Sequence, residues 1–244
     1  MNASQTKLKL PEGEADAYLT RPDGVGPWPG VLWFMDGLGW RKTMFEMADR
    51  LASHGYVVLV PNLFWRAGAP QVFDASAFSD PAVREKILKL IGETAPNAMK
   101  DAAVWLDALA ALPEVKQKQR LATNGYCMGG GFSLLAGVTY PNRIAAVASF
   151  HGGGFQTDPS APAAIAAKLK ARVYLGVAEK DQRHTPEVTQ ALNTALKQAK
   201  VPHQIETYAG AGHGFAVPGH TVYDRDASEK HWERLLGLLR ETYA

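Results

Sequence analysis

The sequence predicts an α/β fold, with a mostly parallel central sheet and helices on both of its faces. Short apolar runs such as Val31-Leu32-Trp33-Phe34-Met35 and Tyr56-Val57-Val58-Leu59-Val60 show no polar alternation, as expected of strands covered on both sides. Longer stretches between them carry apolar residues at helical spacing. The two kinds of segment alternate along most of the chain, which argues for a parallel sheet wrapped by helices.

The first twenty residues differ. Lys7-Leu8-Lys9-Leu10 and Ala17-Tyr18-Leu19 alternate polar with apolar, which suits an antiparallel pair at a sheet edge. Pro22, Gly24, Gly26, Pro27 and Pro29 then mark a loop. The Val31 run follows as a buried strand. Residues 42–54 show helical periodicity, with Phe45, Met47, Ala48 and Leu51 as the apolar set, and end at Gly55. The Tyr56 run is the next buried strand, stopped by Pro61. Residues 61–81 are irregular, with Phe64, Trp65, Phe73 and Phe78 scattered among Gly, Pro, Ala and Ser. Helices are expected at 81–91 and 97–111. Leu121-Ala122-Thr123-Asn124-Gly125 reads as a strand leading into Tyr126-Cys127-Met128-Gly129-Gly130 and a small-residue helix that ends near Pro141. Strands are expected at Ile144–Phe150, 171–177 and His203–Tyr208, and helices at 186–200 and 226–243. There is no internal repeat and no Gly/Ser-rich linker, so residues 1–244 read as a single domain.

Composition narrows the class of function. Of 244 residues, 46% are hydrophobic and 20% charged, the balance of a soluble globular protein. The net charge of +2 is mild. Its densest basic patch, Lys116-Gln117-Lys118-Gln119-Arg120, reads as a solvated loop, so no nucleic-acid partner is expected. The first nine residues hold no apolar core of signal-peptide length, and no run approaches the ~20 apolar residues of a membrane span. No membrane partner is therefore expected, and the location expected is cytoplasmic. A single cysteine excludes an intramolecular disulfide, and there is no clustered zinc-ligand pattern. No zinc site is expected.

Chemistry concentrates around that cysteine. Gly125-Tyr126-Cys127-Met128-Gly129 has the form Gly-x-nucleophile-x-Gly between a strand and a helix, the setting of a nucleophile elbow. Flanking glycines let strand and helix approach closely while the Cys127 side chain projects above the sheet edge. The N–H of Met128, at the helix N-terminus, is placed to donate to an oxyanion, and the position favours a thiolate. A cysteine nucleophile needs a histidine to take its proton and a carboxylate to orient that histidine. In the α/β-hydrolase arrangement they follow in the order nucleophile, acid, histidine. Asp181 lies just past the strand at 171–177, with Glu179 competing for its role. His213 lies in Ala209-Gly210-Ala211-Gly212-His213-Gly214-Phe215, a glycine-rich loop after the next strand. Both fall at the carboxyl edge of the sheet, where open α/β sheets bind ligands. Of the other histidines, His54, His184, His203, His220 and His231 carry little signal, whereas His151 follows a strand and is placed to line the cleft. A second oxyanion donor is expected from Asp36-Gly37-Leu38-Gly39, with the Gly37 N–H as candidate. Asp36 either shapes that turn or lies near the thiol.

The chain resembles the dienelactone hydrolase family nearly end to end. The resemblance rests on Gly-Tyr-Cys-Met-Gly-Gly at 125–130, the strand-terminal Asp181 and Ala-Gly-His-Gly-Phe at 211–215. It is supported by Val60-Pro61-Asn62-Leu63-Phe64 and by Phe150-His151-Gly152-Gly153. It implies an α/β-hydrolase core without a large lid, a Cys127-His213-Asp181 triad, and hydrolysis of a small ester or lactone through a thioester, with no metal and no organic cofactor. In the founding enzymes a glutamate after the first buried strand meets the thiol at rest and pairs with an arginine. Asp36 and Arg84 stand at the matching places here. A second arginine shortly after the catalytic histidine holds the dienelactone carboxylate there. This chain has Phe215-Ala216-Val217 instead, so the dienelactone substrate does not follow. Phe64, Trp65, Tyr126, His151 and Phe215 are the remaining candidates for the pocket or the thiol's surroundings. The expected partner is a small-molecule ester or lactone, and the sequence implies no oligomeric state. The rival readings are a thioesterase or acyltransferase on the same core, and a redox-sensing or ligand-binding protein without catalysis.

Overall fold

The computed structural model describes residues 1–153, 161–182 and 184–244. Among them are eight strands, mostly parallel, and seven α-helices, an α/β fold. The chain divides into two compact units, Met1–Leu121 and Ala122–Ala244. No helix among the described residues is long and apolar enough to cross a membrane.

The first unit opens with the expected antiparallel pair. Strands β1 (Asn2–Leu10) and β2 (Gly13–Arg21) run in register from Asn2↔Arg21 to Leu10↔Gly13. β1 is exposed along most of its length and carries Lys7 and Lys9, charges that discourage further pairing at an edge. β2 pairs antiparallel with β4 (Val57–Pro61), which pairs parallel with β3 (Gly30–Phe34), giving the order β1-β2-β4-β3. β3 and β4 are buried throughout, as their unbroken apolar runs require. β4 continues through Pro61 rather than stopping before it, because a proline at the last strand position removes only a terminal ladder donor. Helix α1 (Lys42–Ala52) buries Met44, Met47, Ala48 and Leu51. Helix α2 (Pro81–Thr94) starts where the Asp80 carboxylate accepts the N–H groups of Ala82 and Val83 and a proline occupies the first turn. Helix α3 spans Ala98–Ala110. The irregular stretch before α2 contains two 3-10 turns, Trp65–Ala67 and Ala75–Phe78, too short to leave a periodic signal.

The second unit alternates strand and helix: β5 (Leu121–Tyr126), α4 (Met128–Thr139), β6 (Ile144–Phe150), α5 (Ala161–Lys168), β7 (Arg172–Ala178), α6 (Pro186–Gln198), β8 (His203–Tyr208) and α7 (Arg225–Tyr243). Its strands lie in the order β5-β6-β7-β8. The parallel registers Phe150↔Gly176 and Ala178↔Tyr208 bring the carboxyl ends of β6, β7 and β8 to one edge. Cys127, His151, Asp181 and His213 follow the ends of β5, β6, β7 and β8 in turn. Helix α5 was not expected from the sequence. Its alanine-rich run buries only Pro162 and Ala166, so it has little apolar contrast to read.

Candidate active site

Cys127 caps helix α4 with φ 54° and ψ −120°, a backbone conformation rare for a side-chain-bearing residue. The turn is held tightly. A Cβ on Gly125 would fall 2.1 Å from the Gly129 carbonyl oxygen, and one on Gly130 would fall 2.6 Å from Ser149 Oγ. The Cys127 carbonyl accepts the Gly130 N–H at 3.0 Å, closing the first turn of the helix. Met128 begins that helix, so its N–H belongs to the first turn, whose donors have no intrahelical acceptor.

Around this elbow the second unit assembles a chain of three groups. Cys127 Sγ lies 3.0 Å from His213 Nε2, and His213 Nδ1 is hydrogen-bonded to Asp181 Oδ2. The two ring nitrogens are thus divided between thiol and carboxylate. Asp181 is 6% exposed in the loop after β7, where its N–H is held by the Ala178 carbonyl. Glu179, its competitor, turns outward, and its Oε2 accepts the Gly210 N–H at 2.8 Å. Burial alone would lower the His213 pKa. The negative charge of the Cys127 sulfur and the hydrogen bond to Asp181 outweigh it, pushing His213 from 6.5 up to about 9. This arrangement favours an imidazolium beside the Cys127 sulfur.

The surroundings depart from the sequence reading in places. Tyr126 is fully buried, and its hydroxyl meets His231 Nε2 at 2.9 Å, so it supports the elbow from within the core. His231 Nδ1 donates to the Ser228 carbonyl, which leaves Nε2 to accept from Tyr126. Ser228 also donates its hydroxyl to the Ala216 carbonyl at 3.0 Å, and the Asp224 N–H bonds the Phe215 carbonyl at 3.1 Å. Helix α7 therefore anchors both Tyr126 and the loop that carries His213. The sequence reading passed over His231 and Ser228. Their signal was spacing, since Ser228 and His231 share one buried helical face with Trp232, Leu235 and Leu239. Phe215 is buried, packed on the His151 ring at 5.5 Å and on Tyr208 at 4.5 Å. His184 is buried too. Its desolvation lowers its pKa, against the opposing pull of its bond to the Gly152 carbonyl and of Asp181.

In the first unit, Asp36 is fully buried and shapes its turn by accepting the Leu38 N–H at 3.0 Å. Its ion-pair partner is Arg41, at 2.5 and 2.9 Å, and not Arg84. Arg84 sits exposed on α2, a site the helix fixes by directing Ile87 and Leu90 inward instead. Gly37 lies in this turn, and a Cβ there would touch Ile87, Ile91 and Phe78 at 3.4–3.5 Å. Phe64 and Trp65 are buried, and Trp65 donates its ring N–H to Asp101 at 2.9 Å. Arg66 is bound to Asp101 and Glu12. Val217 is buried.

Comparison with known proteins identifies the family and the fold. A Yersinia pestis protein provisionally named carboxymethylenebutenolidase is 27% identical over 97% of this chain and 87% of its own length. The crystal structure of a dienelactone hydrolase-like promiscuous phosphotriesterase from metagenomic libraries matches with a TM-score of 0.79 at 26% identity, over 99% of this chain and 98% of its own. A provisionally assigned dienelactone hydrolase from Klebsiella pneumoniae has the same fold, with a TM-score of 0.81 at 22% identity and 97% coverage of both chains. The model of the dienelactone hydrolase family matches residues 15–243, so this chain belongs to that family and is a hydrolase.

Proposed function

We propose that the protein hydrolyses a small ester or lactone by acyl transfer through Cys127. One observation carries the reading: His213 bridges Cys127 Sγ, 3.0 Å away, and the Asp181 carboxylate. The sulfur attacks the carbonyl carbon and its π electrons move to oxygen. The Met128 N–H stabilises that oxyanion, and the second donor is assigned on sequence grounds to Gly37. As the tetrahedral adduct collapses, the carbon–alkoxy bond breaks, and His213 Nε2–H gives its proton to the leaving oxygen. Water then attacks the thioester while His213 takes one of its protons. The carbon–sulfur bond breaks, the acid leaves and the thiolate returns. Asp181 holds the imidazole tautomer and stabilises the imidazolium.

The test is loss of hydrolysis on p-nitrophenyl esters. Iodoacetamide should stop turnover with one equivalent incorporated, and Cys127→Ala should abolish it in a folded protein. Full esterase activity in Cys127→Ala would refute the mechanism. Thioester substrates and acceptor alcohols, assayed beside the esters, distinguish hydrolysis from acyl transfer to another acceptor.

A further inference from the structure

His151 follows β6 with φ 39°, a left-handed conformation that only a few residue types accept, histidine and asparagine among them. Its backbone is fixed there, because its N–H donates to the Gly176 carbonyl at 2.7 Å. The side chain is 1% exposed. Its Nδ1 lies 3.1 Å from the backbone nitrogen of Cys127. An amide nitrogen can only donate, so Nδ1 carries no proton and the neutral ring holds its hydrogen on Nε2. The Cys127 N–H is shared between this nitrogen and the Phe150 carbonyl, also at 3.1 Å. The same ring meets the His213 ring edge-on, with centroids 5.1 Å apart and planes at 62°. Tyr126 and Phe215 pack against its other sides. One buried side chain therefore touches the backbone of the candidate nucleophile and the ring of its base.

We infer that His151 is a positioning residue for the acyl-transfer step: its Nδ1 fixes the Cys127 amide in the strained elbow while its ring sets the angle of His213. The inference rests on the cysteine mechanism proposed above. Its physical basis is that a misplacement near 1 Å at a reacting group costs about 10²-fold in rate, whereas substrate affinity need not change. The backbone of Cys127 lies in an unfavoured region, so a fixed acceptor for its N–H counts for more there than in a relaxed turn. His151 also occupies the Cys127 amide, which leaves the Met128 N–H as the elbow's donor to the oxyanion.

Two variants separate the acceptor from the backbone. His151→Asn keeps an acceptor on Cγ, in the place of Nδ1, and tolerates the left-handed backbone. His151→Gly accepts that backbone without strain but offers no acceptor. We expect His151→Gly to lower kcat about 10²-fold with KM within roughly threefold of the parent. We expect His151→Asn to recover most of that loss. Thermal unfolding of both keeps stability apart from catalysis. Equal kcat in the two variants would overturn the acceptor's role, as would an unchanged kcat in His151→Gly. Nitrogen-15 spectra of the ring in the parent protein give a second readout, assigned by the signal missing from His151→Asn. The Nε2–H tautomer is expected, and a proton on Nδ1 would contradict the inference. An inactive Cys127→Ala with an unimpaired His151→Gly would sink this inference alone, whereas an active Cys127→Ala would sink the mechanism beneath it.

Discussion

His213 lies between two negative groups, and its proton is the most informative single atom of the site. Its folded pKa, about 9, lies above its ordinary 6.5, so folding favours the charged ring. The stability this contributes is whole below about 6.5 and is lost as the pH rises through about 9. In the proposed mechanism the same proton serves the leaving group, so kcat/KM on a neutral ester should fall on the alkaline side with a midpoint near 9. A midpoint near 6.5 would mean that the pairing does not operate. Asp181→Asn should move that midpoint down and cut the rate by about 10²–10⁴, since the ring loses both its orientation and its counter-charge. Glu179→Gln should change little, because that carboxylate is turned toward Gly210. The reverse ranking would assign the acid to Glu179. At this scale the grouping of Cys127, His213 and Asp181 was legible because each follows a strand and has a distinctive chemistry. Asp36 was half legible: its place was readable, but its partner was not. An aspartate is shorter than the glutamate of the founding enzymes, and Arg41, five residues away, reaches it across the same loop.

Among the elements, the elbow between β5 and α4 depends on close approach. Gly125→Ala would drive a methyl to within 2.1 Å of the Gly129 carbonyl, which backbone must move to relieve. We expect a loss of more than about 3 kcal/mol in chemical denaturation, along with the activity. Gly237→Ala, in the interior of α7, meets nothing within 4 Å and has no positive φ. It should stabilise by about 0.5–1 kcal/mol through helix propensity, with activity unchanged. If Gly125→Ala proved as benign as Gly237→Ala, the packing account of the elbow would fail. Strand and helix order was readable because burial on two faces and burial on one leave different periods. β6 and β8 begin and end where the sequence places them. What escaped reading was α5, with its weak contrast, and the support that α7 gives the elbow through Tyr126 and His231. A buried tyrosine and a buried histidine leave no mark of their pairing when 105 residues separate them.

For the molecule as a whole, the question is what it hydrolyses. The resemblance to dienelactone hydrolases implies two arginines for a substrate carboxylate, and charge-assisted bidentate contacts of that kind are tight and directional. Here Val217 is buried after the histidine loop, Arg84 is exposed on α2, and Arg66 is bound to Asp101 and Glu12. Arg183, another cation the sequence offers, lies outside the described residues. We expect higher kcat/KM for neutral, modest-sized esters or lactones than for matched substrates carrying a carboxylate. A clear preference for the charged member would refute this and direct attention to Arg183. The aromatic candidates for the pocket add little support for this, since Phe64, Trp65 and Phe215 are buried.

The proposed mechanism depends on a covalent bond at one atom. The most direct measurement is the intact and peptide-mapped mass of the protein quenched in acid during turnover of a slowly hydrolysed ester. The mechanism predicts one acyl group per chain, located on the peptide containing Cys127, that forms and decays at rates matching turnover. Steady hydrolysis with no acyl group on Cys127, or with the label on another residue, would contradict it.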